Sequence, residues 1–392
     1  MRLGVAAALV GGELVDGDVE VVDGRVAAVG VGAPGGSLIA ASGFVDLQVN
    51  GYAGVDFSAP GDEGYEVAGA ALLAGGVTAF QPTLVTAGLD SMRAALARVP
   101  TDAAARCADA TASRQGDRAA SESRAQAVRP RPRVIGAHLE GPFISPSRPG
   151  AHDPAAIRPP DLVTLDALLD PPAARGTVSQ VTLAPELPGA LELIDALLPR
   201  GIVVSCGHTD ADAAAAHAAF DRGATAVTHL FNAMRRPAPR DPGIAFAALG
   251  REDVFVTLIV DGRHLAEDTV RAAWRAAGER LVLISDAVAA AGAPDGDYTL
   301  GGTVEVRSEG GTVRTADGAL AGTTLSMLDA VRGAHALGVP LAGALRAATE
   351  APARMARRPD LGRLEPGARA DLVVLDDSLE LRQVLLGGVP VA

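Results

Sequence analysis

Between residues 43 and 286 the chain alternates two kinds of segment. Short runs that are apolar almost throughout are followed by Ala- and Leu-rich stretches with helical spacing, such as 64–75, 188–199 and 210–222. The runs lie at 43–50, 76–83, 133–139, 178–186, 202–208, 226–232, 254–260 and 281–286. A run that is apolar on both faces predicts a parallel strand covered by helices on either side. Eight βα units predict a closed α/β architecture, a (β/α)8 TIM barrel. An open doubly wound sheet fits less well, because no Gly-rich nucleotide turn follows the first run.

The ends read differently. Residues 3–40 alternate as short strands, and "DVEVVDGRVAAVG" predicts a hairpin about an Asp-Gly turn. Residues 363–391 have the same character. Two segments break the barrel rhythm. Residues 101–132 are rich in Ala, Ser and Arg with few large apolar groups, the pattern of a solvated or disordered insertion. Residues 292–322 carry Gly and Thr in alternation and predict short hairpins after the last strand.

Composition narrows the chemistry. The 392 residues are 48% hydrophobic, enough for a large core. The net charge of −13 argues against nucleic acid as the main partner. No long apolar run predicts a membrane span and no signal-peptide pattern is read, so the expected location is cytoplasmic. The two cysteines, Cys107 and Cys206, are far apart and predict no disulfide framework. All 34 basic residues are arginine. Without lysine there is no Schiff base, no P-loop amine and no carbamylated lysine bridging two metals.

The polar residues fall where a barrel does chemistry, at the C-terminal ends of its strands. His138 and Glu140 end the third, His208 the fifth, His229 the sixth and Asp286 the eighth, and His264 follows the seventh. Of the seven histidines, four lie at or just beyond these runs. A lone histidine there is usually structural, and a lone aspartate is often a helix N-cap. Convergence on one rim favours a metal or acid–base site. Glu140, His208 and His229 offer an open three-ligand set suited to zinc. Asp286 is the candidate base for a metal-activated water, which points to metal-assisted hydrolysis of an amide-like bond. His217 and His335 fit helix faces as structural residues, and Cys206 fits packing.

The motifs "GFVDLQVNGYAGVDF", "HLEGPFI", "GAHDP", "GHTDA", "THLFNAM", "DPG", "DGRH" and "SDA", taken in order, resemble the N-acetylglucosamine-6-phosphate deacetylases of the amidohydrolase superfamily. The tail "GRLEPGARADLVVLD" is similar to the closing β-segment of that superfamily. The resemblance implies a barrel over 43–352 and a small β-sandwich from 1–42 plus 353–392. It implies one divalent metal ion, Zn2+ with Fe2+ or Co2+ as alternatives, on Glu140, His208 and His229, and Asp286 as the catalytic acid and base. It implies substrate contacts from His152, Asn232, Ala233 and His264. It also implies a homodimer in which Arg240 reaches the neighbouring active site. The activity implied is hydrolysis of the acetamide of a small amino-sugar phosphate, N-acetyl-D-glucosamine 6-phosphate, in amino-sugar catabolism and cell-wall recycling. N-acetylgalactosamine 6-phosphate is the alternative substrate.

One departure concerns the first strand. Superfamily members of the dihydroorotase or hydantoinase kind carry two histidines there and help hold a second metal. This chain has Gln48 and Asn50, two apart and on one side of the strand. Neutral amides are poor zinc ligands, so one metal is expected, with the amides bonded to water or to the ligands around it. The other rival, a scaffold that kept the barrel and lost its chemistry, is opposed by the intact Glu-His-His-Asp set.

Overall fold

The computed structural model describes residues 1–32, 36–61, 63–100, 130–172 and 174–392. Most of the segment expected as an insertion, 101–129, lies outside the described residues, as does Cys107.

Eight parallel strands form the barrel: Phe44–Val49, Val77–Val85, Ala137–Glu140, Val178–Leu183, Val203–Cys206, Ala226–Val227, Phe255–Leu258 and Leu281–Leu283. Each pairs with its sequence neighbour. The last and first strands close through a single parallel bridge, Val49 to Ala287, backed by the Asn50 N–H donating to the Ala287 carbonyl at 2.7 Å. All nine residues of Val77–Val85 are buried, which is why that run shows no alternation. Three of the helices begin where the chain offers a side-chain acceptor. Asp161, Asp212 and Ser326 accept from the backbone N–H three residues on, satisfying donors the helix leaves open.

The barrel interior changes character along its axis. At the base, Val45, Leu47, Ala79, Ile135, Ala226, Ile259, Val282 and Ile284 form an apolar cluster. Helix Glu350–Met355 seals it from below with Ala351, Ala353 and Met355, together with Leu361 of the following loop. Above this plug the buried residues are polar: Gln48, Thr83, His138, Glu140, Thr182, Ser205 and Thr228. Buried polar groups require partners. Here they find one another, as in the relay from His138 Nε2 to Thr182 (2.7 Å), Thr182 to Thr228 (2.7 Å) and Thr228 to Ser205 (2.6 Å).

The chain ends build a second, sheet-rich unit. Its six-stranded sheet runs in the order Glu13–Asp16, Ala7–Val10, Ile39–Ser42, Leu372–Leu375, Leu381–Leu386, Val389–Pro390. The hairpin Asp18–Val22 with Arg25–Val31 packs on it through Val19, Val21 and Val26. Asp23 and Gly24 make the turn with φ of 49° and 73°, the left-handed pair that a two-residue hairpin loop demands. A four-stranded antiparallel sheet, Gly296–Leu300 to Leu320–Thr323, follows the eighth barrel strand and overhangs the rim.

Candidate active site

Glu140 is the last residue of the third strand, and His208, His229 and Asp286 each lie just past the end of theirs. His208, His229 and Asp286 hold φ of 47°, 33° and 49°. That region costs a residue with a Cβ about 1–2 kcal/mol, and such strain concentrates at functional sites. The bend ends each ladder and turns the side chain into the mouth of the barrel.

Three ligand-type atoms meet there. His229 Nε2 is 2.9 Å from Glu140 Oε1, His208 Nε2 is 3.2 Å from the same oxygen, and the two Nε2 atoms are 3.1 Å apart. His208 Nδ1 lies 3.0 Å from the Arg148 carbonyl, so it donates its proton there and Nε2 carries the lone pair. Two ring nitrogens and a carboxylate oxygen facing one another need a cation or a proton among them. A four-coordinate zinc with ligands at about 2.1 Å spaces them by about 3.4 Å, so the donor set fits a divalent ion with little movement.

Glu140, His152 and His208 also present ligand atoms within 4.8 Å of one another. His152 is the weaker member. The Thr86 N–H donates to its Nδ1 at 3.2 Å, so the neutral ring carries its proton on Nε2, which faces Glu140 Oε2 at 3.9 Å. It is poised as a donor rather than a ligand. His229 Nδ1 is buried without a hydrogen-bond partner among the described residues.

The two amides of the first strand bind the acids. Gln48 Nε2 donates to Glu140 Oε1 and to Asp286 Oδ1, both at 3.1 Å, and Asn50 Nδ2 donates to Asp286 Oδ1 at 2.8 Å. His264 Nδ1 donates to Asp261 Oδ2 at 2.7 Å, which leaves Nε2 as its second polar edge. Asn232 donates from Nδ2 to the His229 and Leu230 carbonyls at 3.1 and 3.3 Å. A cavity of about 580 Å³ gathers Asn50, Glu140, His152, His208, His229, Asn232, Ala233, His264 and Asp286. The overhanging sheet contributes Leu300, Leu320 and Gly322 to its wall. Gln48 sits beneath it, and Arg240 is exposed outside it. His138 lies deeper, its ring held by Thr83 and Thr182 at 3.3 and 2.7 Å.

Electrostatics separates the roles. Burial, reinforced by the Glu140 charge, pushes Asp286 up to about 6, the range of a working general base. For Glu140 burial works upward, but hydrogen bonds from His208 and His229 outweigh it and hold the carboxyl well below its usual range. His229 is raised: burial opposes its charge, and the bond to Glu140 wins. The same negative charge that raises His229 favours a cation between these groups. Burial, reinforced by the neighbouring His208 ring, brings His152 down to about 3, so its ring is neutral.

Sequence reasoning missed three contributors. Asp261 fixes His264, and its place three residues upstream in "DGRH" was a readable signal. Thr86 donates from Oγ1 to the Glu140 carbonyl at 2.9 Å and from its N–H to His152; nothing in its local sequence marks it. Gly150 (φ 56°) passes so close to His208 that a Cβ there would stand 2.9 Å from Cε1.

Comparison with known proteins agrees with this geometry. Residues 39–391 match the model of the amidohydrolase family, and the chain belongs to that family. It is a hydrolytic enzyme of a metal-dependent family. The N-acetylgalactosamine-6-phosphate deacetylase of Escherichia coli O157:H7 is 37% identical over 96% of this chain and 95% of its own. The N-acetylglucosamine-6-phosphate deacetylase of Homo sapiens is 39% identical over 90% of this chain and 83% of its own. The N-acetyl-D-glucosamine-6-phosphate deacetylase of Mycobacterium smegmatis, solved as a mutant in complex with N-acetyl-D-glucosamine-6-phosphate, superposes with a TM-score of 0.87. It is 38% identical and covers 100% of this chain and 99% of that one.

Proposed function

We propose that this enzyme hydrolyses the acetamide of N-acetyl-D-glucosamine 6-phosphate to D-glucosamine 6-phosphate and acetate. The observation that carries the reading is the convergence of Glu140, His208 and His229 within 3.2 Å of one another, beside an amide-anchored Asp286. The names of relatives over nearly the whole chain supply the substrate class.

Glu140, His208 and His229 hold one divalent ion, Zn2+ by donor type, with Fe2+ or Co2+ able to use the same set. When bound, the ion polarises the acetamide carbonyl and acidifies a water. Asp286 accepts the water proton as the oxygen attacks the carbonyl carbon. The carbon–nitrogen bond then breaks, and Asp286 returns the proton to the departing amine. His264, oriented by Asp261, presents its Nε2 edge to the carbonyl oxygen, where negative charge develops. His152 donates from Nε2 within the same pocket, and Asn232 and Ala233 line the side that receives the sugar phosphate.

The galacto epimer is kept as a second reading because a 37% identical relative bears that name. Acetate release from both epimers, with metal content measured on the same preparation, tests the proposal. No acetate from either sugar with a full metal complement overturns it.

We further propose a cytoplasmic homodimer. Among the described residues no helix is long and apolar enough to cross a membrane. Arg240 is exposed outside its own cavity, consistent with service to a neighbour. Phe246 is 51% exposed on the adjoining helix Gly243–Leu249, its ring 6.1 Å from Phe231. The partition into 1–42 plus 353–392 and 43–352 is part of the same proposal.

A further inference from the structure

Two arginines line the cavity, Arg148 and Arg236, and among the described residues only Arg148 is paired with a carboxylate. Arg148 donates from Nε and Nη2 to Asp210 Oδ1 at 2.9 and 2.6 Å. Asp210 Oδ2 is taken by Arg235 Nη1 at 3.3 Å, and Arg235 donates from Nε to Asp241 Oδ2 at 2.7 Å. These four side chains satisfy one another. Arg236 has no ion pair or side-chain hydrogen bond among the described residues, and it is exposed. It stands at the mouth of a cavity whose floor holds the carboxylates Glu140 and Asp286.

The loop that carries Arg236 is tied down on both sides of it. Arg235 locks its own side to Asp241 and Asp210, and its N–H donates to the Thr209 carbonyl at 3.0 Å. Ala238 and Asp241 exchange backbone hydrogen bonds at 2.7 and 3.0 Å, closing the loop beyond. Pro237 follows Arg236 and disfavours a helical backbone there. Adjacent arginines therefore diverge, Arg235 into the network and Arg236 to the wall shared with Asn232 and Ala233.

We propose that Arg236 is the residue of this chain's own active site that reads the anionic end of the substrate. Its guanidinium donates two N–H groups to the phosphate oxygens of a 6-phosphorylated N-acetylhexosamine. This role rests on the substrate class proposed above. It is separate from that of Arg240, which lies outside the cavity of its own chain.

The test is steady-state hydrolysis of N-acetylglucosamine 6-phosphate and unphosphorylated N-acetylglucosamine by metal-loaded wild type, Arg236→Ala and Arg236→Lys. Arg236→Ala should raise KM for the phosphorylated sugar about ten-fold with kcat within about two-fold, and leave kcat/KM for the plain sugar unchanged. Arg236→Lys should recover part of the loss, since it keeps the charge without the fork. An unchanged KM for the phosphorylated sugar, in an enzyme that still prefers it, overturns the Arg236 assignment and leaves the substrate reading standing. A wild type with no preference for the phosphorylated sugar sinks both. Mixing Arg236→Ala with Asp286→Asn chains tests the same-chain claim. Recovery of low-KM turnover in the mixture would place Arg236 in the neighbour's site and overturn it.

Discussion

Asn50 Nδ2 donates to Asp286 Oδ1 at 2.8 Å, fixing the candidate general base from across the closing seam of the barrel. The two residues are 236 positions apart and meet where the first and eighth strands close. An amide does here what a charged ligand would undo: it holds the carboxylate without neutralising it. Asp286→Asn should therefore keep the fold and the metal and lose turnover by about 10²–10⁴-fold. Metal analysis alongside acetate release checks it; near-normal turnover would remove Asp286 from the mechanism.

The amides also bear on metal stoichiometry. Gln48 and Asn50 spend their donors on Glu140 and Asp286 and offer no charged ligand. The purified enzyme should hold about one divalent ion per chain. His208→Ala should lower occupancy, because one of three ligands is gone. Gly150→Ala should lower it less, by pushing the His208 ring through a contact of 2.9 Å. Two tightly held ions per chain would contradict the reading of the first strand.

Asp261 acts through His264. Burial alone would raise Asp261, yet the bonds from the His264 side chain and backbone bring it down to about 2, so it stays ionised across the working range. Asp261→Asn should lower kcat about ten-fold or more with little change in KM or metal content, as expected when a ring loses its orienting charge. A change in KM alone would make the dyad a binding device.

Asp46 gives a pH signature in stability. Burial lifts it to about 7 from an ordinary 3.8, although the Ser285 and Gln48 N–H groups pull the other way. A folded value above the unfolded one means that the native state binds the extra proton. The stabilisation is complete below about pH 4 and is lost as pH rises through about 7. The span is on the order of 4 kcal/mol. Asp46→Asn should unfold at higher denaturant than wild type at pH 8, with the difference shrinking toward pH 5. Parallel curves for the two proteins over that range would refute it.

Much of the fold was readable because burial writes itself into composition. The eight runs read as strands are strands, since residues covered on both faces are mostly apolar. Their ends were overestimated for a physical reason. The runs at 202–208, 226–232 and 281–286 continue in composition, but the ladders stop at Cys206, Val227 and Leu283. Beyond those points the chain bends into left-handed φ at His208, His229 and Asp286. The run at 133–139 is split into Arg133–Val134 and Ala137–Glu140 around Gly136, whose φ is 111°.

By itself the sequence determined which residue types could do chemistry here and which could not. The absence of lysine, the strand-end acids and histidines, and the amide pair of the first strand are all local facts. Only the tertiary structure decided how they are used. His208 and His152 are the same residue type, yet one ring turns a lone pair to Glu140 and the other turns a proton, because of what bonds their Nδ1 atoms. Arg235 and Arg236 are neighbours, and whether each meets a carboxylate was settled by Asp210 and Asp241 in space. Hydrogen-bond direction and charge pairing depend on distances of about 3 Å between groups far apart in the chain, and no local pattern encodes those.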